Sequence, residues 1–179
     1  MCRMVFVRLY VELSFALQKT WTFEVLDIEY ATTNEELVKI NLKAEHINRT
    51  TLGISGTLDV RYEFSEDTMI EMLMCRSTSG NADSYQLLPY RVPRMQIHDF
   101  FDTFYDMIFK DTGPCTNFPV IETKARDYQF CKVIYFKRCT FNNDHLPNYL
   151  PGGYYKVKVV ISGEADWSLT VLFQVESTV

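Results

Sequence analysis

The fold class is decided by residues 154–176, which read YYKVKVVISGEADWSLTVLFQVE. Large apolar side chains occupy every second position of two runs: Tyr155, Val157, Val159 and Ile161, then Trp167, Leu169, Val171, Phe173 and Val175. Alternation with a period of two is typical of strands that bury one face. Because a short polar loop, residues 162–166, separates the runs, the stretch predicts an antiparallel β-hairpin.

The same alternation recurs upstream of this hairpin. It predicts strands at Trp21–Tyr30, Val38–Ala44, Leu52–Tyr62, Thr68–Cys75 and Phe130–Arg138. A shorter apolar run, Tyr85–Leu88, stops at Pro89. About seven or eight strands with turns at this spacing favour an antiparallel, immunoglobulin-like β-sandwich or β-cup over a βαβ fold.

One segment changes to a helical period. Apolar residues fall at i, i+3, i+4, i+7 and i+11, namely Ile97, Phe100, Phe101, Phe104 and Ile108. Asp99, Asp102 and Asp106 occupy the opposite face, as expected for a solvated surface. The pattern predicts one amphipathic helix over roughly Arg94–Lys110, inserted into an otherwise all-β chain.

Length and composition indicate one globular domain, residues 17–179. The chain has 179 residues, of which 47% are hydrophobic and 15% aromatic, and its net charge is −5. That acidic balance, with scattered lysines and arginines, argues against a nucleic-acid partner. No stretch reaches the ~20 uncharged apolar residues of a transmembrane helix, so no membrane span is expected.

The first residues leave two alternatives open. Met4–Val7 begins like a secretory signal, and Ser14–Ala16 has the small residues that signal peptidase prefers. Arg8 and Glu12 interrupt the apolar run between them. Met1–Ala16 is therefore either a degraded signal peptide or an ordinary N-terminal strand or tail.

Five cysteines are present, and Cys2 would leave with a signal peptide. The remaining four allow three disulfide pairings. A bond between Cys131 and Cys139 is disfavoured, because eight residues of strand span about 26 Å and disulfide Cα atoms lie within about 7 Å. Cys115 is then expected to pair with Cys131 or Cys139, and Cys75 with the other. The alternative is a set of free thiols in a reducing compartment.

Asn48-Arg49-Thr50 forms an N-x-T glycosylation sequon. It lies on the predicted turn between the second and third strands. Together with the even number of cysteines, it favours an extracellular glycoprotein.

The sequence shows no catalytic pattern. HExxH, GxSxG, GxGxxG and P-loop strings are absent. His46, His98 and His145 lie far apart in the chain. Asn142–Asp144 is typical of an Asx-rich turn, because nothing nearby supplies the roughly six to eight oxygens of a Ca²⁺ site. We therefore expect no enzyme, no cofactor and no metal.

Four local strings carry a resemblance that spans about residues 20–178. They are Asn34–Lys39 (NEELVK), Tyr85–Arg94 (YQLLPYRVPR), Cys115–Pro119 (CTNFP) and Leu150–Lys156 (LPGGYYK), the last preceded by Leu146-Pro147. In this order the chain resembles the insect chemosensory protein A group. That group is related to the chemosensory protein B group and to a broad insect family of secreted proteins, which are similar to the GM2 activator and to the MD-2-related lipid-recognition fold.

The resemblance implies a β-cup, in which two antiparallel sheets splay apart around an apolar cavity. It also implies an extracellular protein that binds a lipid or a hydrocarbon-like pheromone and takes part in chemical sensing, with a possible receptor protein as partner.

Apolarity and periodicity select the residues that we expect to line or gate such a cavity: Trp21, Met72, Phe100, Phe101, Phe104, Ile108 and Trp167. Phenylalanine and methionine suit an adaptable pocket because they bury area without needing polar partners. Two alternatives stay open: a protein-interaction module or receptor cofactor with a filled core, and a lipid-extracting activator of a hydrolase. A cavity smaller than about 300 Å³ would favour the filled core.

Overall fold

The computed structural model describes residues 19–48, 51–109, 114–140 and 146–178. Several predictions made above fall elsewhere in the chain. The signal peptide at Met1–Ala16, the third sequon residue Thr50 and the turn at Asn142–Asp144 with His145 lie outside the described residues.

The described part of the chain contains eight strands and one α-helix. In chain order they are β1 (Trp21–Thr32), β2 (Val38–His46), β3 (Leu52–Val60), β4 (Met69–Ser77), β5 (Gln86–Gln96), α1 (Ile97–Ile108), β6 (Lys132–Cys139), β7 (Gly153–Ser162) and β8 (Trp167–Ser177). Two single 3₁₀ turns, Ala82–Ser84 and Ala125–Asp127, lie between them.

The strands form two antiparallel sheets. One has five strands in the order β1-β8-β7-β4-β5, and the other has three in the order β2-β3-β6. The predicted C-terminal hairpin is β7 and β8, with Ile161 opposite Trp167. The all-β class with one inserted helix is thus confirmed.

The region around the two prolines differs from the prediction. Strand β5 continues through Pro89 and Pro93 to Gln96, so α1 begins at Ile97 and not at Arg94. Both prolines are tolerated because β5 is the edge strand of its sheet, where a missing N–H removes no ladder bond on the open side. The Ile97 N–H donates to the Thr68 carbonyl over 2.9 Å and fixes where the helix begins.

Buried side chains form two separate clusters. The main cluster lies between the two sheets and under α1, and includes Val38, Ile54, Ile70, Phe101 and Trp167. The second is built on β1, β7, β8 and the connector before β7; its members are Trp21, Leu150, Tyr155, Phe173 and Val175. The main cluster contains residues of α1 and the second does not. A cavity covered by the helix would therefore lie in the main cluster.

The described part of the chain has one disulfide, between Cys115 and Cys139, whose Cα atoms are 5.3 Å apart. It is one of the two pairings of Cys115 that the sequence left open. The second predicted bridge is wrong, because Cys75 and Cys131 are free. Cys75 lies between Leu87 and Lys156 in the five-stranded sheet, whereas Cys131 is exposed just before β6 of the other sheet.

Candidate ligand-binding cavity

A cavity of about 140 Å³ lies between the two sheets, beneath α1. Nineteen residues line it, and every one of them is apolar. Within the described ranges, no charged side chain lines the cavity. A molecule bound there would gain dispersion contacts and burial from water.

Two rows of paired residues form the wall on the five-stranded sheet. Ile70 of β4 lies opposite Ile161 of β7, which lies opposite Trp167 of β8. The parallel row is Met72, Val159 and Leu169. Side chains at every second position point to the same face of a sheet, so the alternation of the sequence places both rows on the inner face. The residues of this wall are thus the ones that the alternating sequence pattern places on the inner face of the sheet.

The three-stranded sheet supplies the opposite wall. Leu58 of β3 is paired with Ile134 of β6, and Val60, Leu42 and Phe136 extend the same apolar surface. These are again inward positions of alternating strands. The two sheets therefore face each other across the cavity with aliphatic side chains on both sides.

Aromatic rings form the roof. Ile97, Phe100, Phe101 and Ile108 project from α1 into the cavity wall. Phe101 stacks on Phe130, with ring centroids 5.0 Å apart and planes 12° from parallel. Phe130 in turn stacks on Phe64 at 5.3 Å. The helix thus packs on the Phe130 ring, which is supported in turn by Phe64; both of these residues lie outside regular strands.

A second pair of stacked rings lies at the C-terminal end of α1. Phe109 and Phe118 have centroids 4.6 Å apart and are nearly parallel, and both line the cavity. Both are only half-buried, unlike Phe100 and Phe101. Phe109 and Phe118 are therefore less shielded from solvent than Phe100 and Phe101.

Trp167 contributes its ring to the cavity without exposing a polar atom there. Its indole Nε1 donates to the Tyr62 hydroxyl over 3.2 Å. Burial raises the pKa of Tyr62 above its usual value, so the phenol stays protonated at neutral pH. The polar end of the tryptophan is satisfied outside the cavity, and its apolar face is left for an occupant.

Five of the seven residues predicted to bind a ligand lie together at this cavity: Met72, Phe100, Phe101, Ile108 and Trp167. Phe104 does not line it; this side chain is half-buried beside Phe100, with centroids 5.4 Å apart. Trp21 belongs to the second cluster, where its Nε1 donates to the Pro147 carbonyl over 2.9 Å. Alternation shows only that a residue faces inward, and Trp21 faces inward at the other end of the sheet.

Three phenylalanines that line the cavity, at positions 64, 118 and 130, were not among the predicted ligand-binding residues. Phe64 and Phe118 lie in segments between strands, where no periodicity marks a side chain as buried. Phe130 was predicted to begin a strand, but that strand begins at Lys132 and Phe130 lies just before it. Only the packing of these segments against α1 reveals that they complete the roof.

The volume is below the size expected for a lipid pocket. Engineered cavities of about 150 Å³ with Leu, Ile and Phe walls bind benzene or xenon, whereas drug-sized ligands occupy about 300 Å³ or more. The cavity as it stands has room for one ring-sized apolar group and not for a whole lipid. Within the described residues, no helix has both the length and the apolar character needed to cross a membrane.

Comparison of the chain with protein-family models and with curated proteins gives no match.

Proposed function

We propose that this protein binds a small apolar molecule, or the apolar end of a lipid or hydrocarbon chain, between its two sheets. The observation that carries the proposal is the wall itself, in which strands of both sheets and α1 present only apolar side chains. Burial of each CH₂ group contributes about 0.8 kcal/mol, so an apolar group gains affinity there without any polar contact.

A ligand larger than a ring requires the roof to rearrange. Met72 is unbranched and adapts to irregular shapes, and the half-buried Phe109 and Phe118 can turn toward solvent. Movement of these side chains would extend the cavity toward the C-terminal end of α1. A hydrocarbon chain would then enter at that end and place its tip against Trp167.

The wider role that we propose is extracellular transport or presentation of such a molecule in chemical sensing. It rests on the resemblance to the insect chemosensory protein A group and its β-cup relatives. The Cys115–Cys139 disulfide fits an oxidising compartment, and Asn48 of the sequon is exposed and lies between β2 and β3.

A matched pair of substitutions tests the binding site. Val159→Phe adds bulk to the inner face of β7, whereas Val133→Phe makes the same change on the exposed side of β6. We expect wild-type protein and the Val133 variant to bind a fluorescent fatty acid with saturation, and the Val159 variant to bind it far more weakly. Equal affinity for all three proteins would place the binding site elsewhere.

A protein-interaction module with a filled core is the second candidate, and the small volume of the cavity favours it. This candidate predicts that neither a ring-sized molecule nor a fatty acid binds with saturation to the wild-type protein. The same titration therefore separates the two functions.

A further inference from the structure

His98 is a buried histidine in the first turn of the roof helix. It retains 7% of its exposure and follows Ile97, which lines the cavity. Its ring lies against Phe130, with centroids 6.3 Å apart. Because Phe130 stacks on Phe101, His98 contacts the ring pair that holds α1 over the cavity.

The imidazole has an unmet hydrogen-bonding group. Nδ1 is buried and has no hydrogen-bond partner among the residues that the structure describes. A neutral ring tolerates this arrangement, since an unprotonated nitrogen loses only one acceptor contact. A protonated ring places an N–H and a positive charge at the same spot, and burying both without a partner costs far more.

Four charged side chains act on His98, and three of them, Arg126, Glu66 and Asp102, already have partners. Arg126 donates to Glu66 over 2.7 Å and to the Gln96 side chain over 3.0 Å. Asp102 accepts from the Ala125 N–H over 2.7 Å and lies 3.1 Å from the Lys124 amine. Asp99, exposed on α1, is the fourth.

These surroundings disfavour a charged imidazole overall. Burial first, then the positive charge of Arg126, hold the pKa of His98 below its usual value, and the carboxylates of Asp102, Asp99 and Glu66 oppose them. The positive end of the helix dipole lies at the same turn and acts with Arg126. His98 is therefore neutral at neutral pH and gains a proton only on acidification.

We propose that His98 is a proton-sensitive latch on the cavity roof: protonation loosens α1 from Phe130 and releases the apolar occupant. The part that concerns the occupant rests on the proposed function, while the loosening of the helix does not. Opening lets the imidazolium reach water, and the roof then no longer excludes solvent from the cavity. A fall in pH thus opens the cavity through the first turn of α1 and the contact between His98 and Phe130.

The test uses two variants and one control. His98→Phe keeps an aromatic ring against Phe130 without an ionisable group, and His98→Gln removes the charge if the phenylalanine variant does not fold. His46→Gln makes the same change at an exposed histidine on β2. Hydrogen exchange of the α1 amides is measured on ligand-free protein between about pH 7 and about pH 5, as protection factors corrected for intrinsic exchange.

We expect α1 protection to fall with acidification in wild-type and His46→Gln proteins, and to stay constant in the His98 variants. The loss should reach about tenfold for each unit by which the His98 pKa differs between the closed and opened protein. An identical fall in wild-type and His98 variants, or no fall in any of them, would overturn the latch.

Toluene affinity is measured over the same pH range. We expect acidification to weaken binding to wild-type protein and to leave the His98 variants unchanged. If hydrogen exchange of α1 depends on pH through His98 but toluene binds at no pH, the proposed function is rejected and the latch is supported. Toluene binding that has the same pH dependence in wild-type protein and in the His98 variants would reject the latch and support the proposed function.

Discussion

Trp167 and Tyr62 are joined by a buried hydrogen bond, with 3.2 Å between the indole Nε1 and the phenolic oxygen. Trp167 begins β8 and Tyr62 follows β3, so the bond links the two sheets. Tyr62 also makes an edge-to-face contact with Phe64 of the roof, with centroids 5.6 Å apart. One polar contact thus fixes the ring at the base of an otherwise apolar cavity.

Tyr62→Phe removes the acceptor and leaves the indole N–H buried without a partner. We expect the free energy of unfolding to fall by about 1–3 kcal/mol, measured by urea denaturation. Tyr30→Phe, at a tyrosine that is 45% exposed, is the control and should leave stability unchanged. Equal stability of the Tyr62 variant and the wild type would show that the bond contributes nothing.

Cys115→Ser opens the disulfide that closes a loop of 24 residues. The chain-entropy estimate for a loop of this length gives a loss of about 3–4 kcal/mol in the free energy of unfolding. Cys131→Ser changes an exposed free thiol and should have no effect on the same denaturation curve. A loss on mutating Cys131, matched by none at Cys115, would contradict the observed pairing.

Phe130→Ala should destabilise the protein at least as much as opening the disulfide. Phe130 is 1% exposed and stacks on both Phe64 and Phe101, so its removal loses a large buried area and leaves a cavity. We expect a cost of about 3–5 kcal/mol, by thermal or chemical unfolding. Tyr90→Ala, at an exposed aromatic residue of β5, is the comparison, and a similar cost at both sites would be inconsistent with a packed roof.

Asp102 ties α1 to the Ala125–Asp127 turn, and its contribution depends on pH. Burial opposes ionisation, but the Ala125 N–H and the Lys124 amine outweigh it and hold the pKa of Asp102 below its usual value. Its stabilisation is therefore full above about pH 4, the unfolded value, and is lost as the pH falls through the folded value.

Asp102→Ala should thus cost about 1–2 kcal/mol at neutral pH and much less in strong acid. Asp106→Ala, on the exposed face of the same helix, serves as its control. Unfolding curves of the wild type and both variants, recorded from neutral pH to strong acid, measure these costs. A cost that does not change with pH would mean that the carboxylate charge plays no part.

Much of the fold could be predicted because its strands bury one face. The rows that begin at Ile70 and Met72 and cross β7 to β8 are alternating positions, and α1 shows its helical period clearly. Strand β5 was predicted only as a short run, because prolines mark a break unless the strand is known to lie at an edge. Sheet order is a tertiary property that no local pattern carries.

The cavity was less predictable than the sheets. Periodicity placed Phe101 and Trp167 on inward faces correctly, but it could not separate the main cluster from the one that contains Trp21. The volume of the cavity could not be predicted from the sequence either, because it depends on how far loop residues such as Phe118 and Phe130 fill the space below the helix.

An NMR titration with toluene tests most directly whether a ligand enters the apolar cavity between the two sheets. We predict saturable shifts of the Met72, Ile161 and Leu169 methyl groups, with intermolecular NOEs from toluene to the same methyls. Shifts confined to exposed methyls such as those of Leu87 and Val133, or no saturable shift at all, would contradict this prediction.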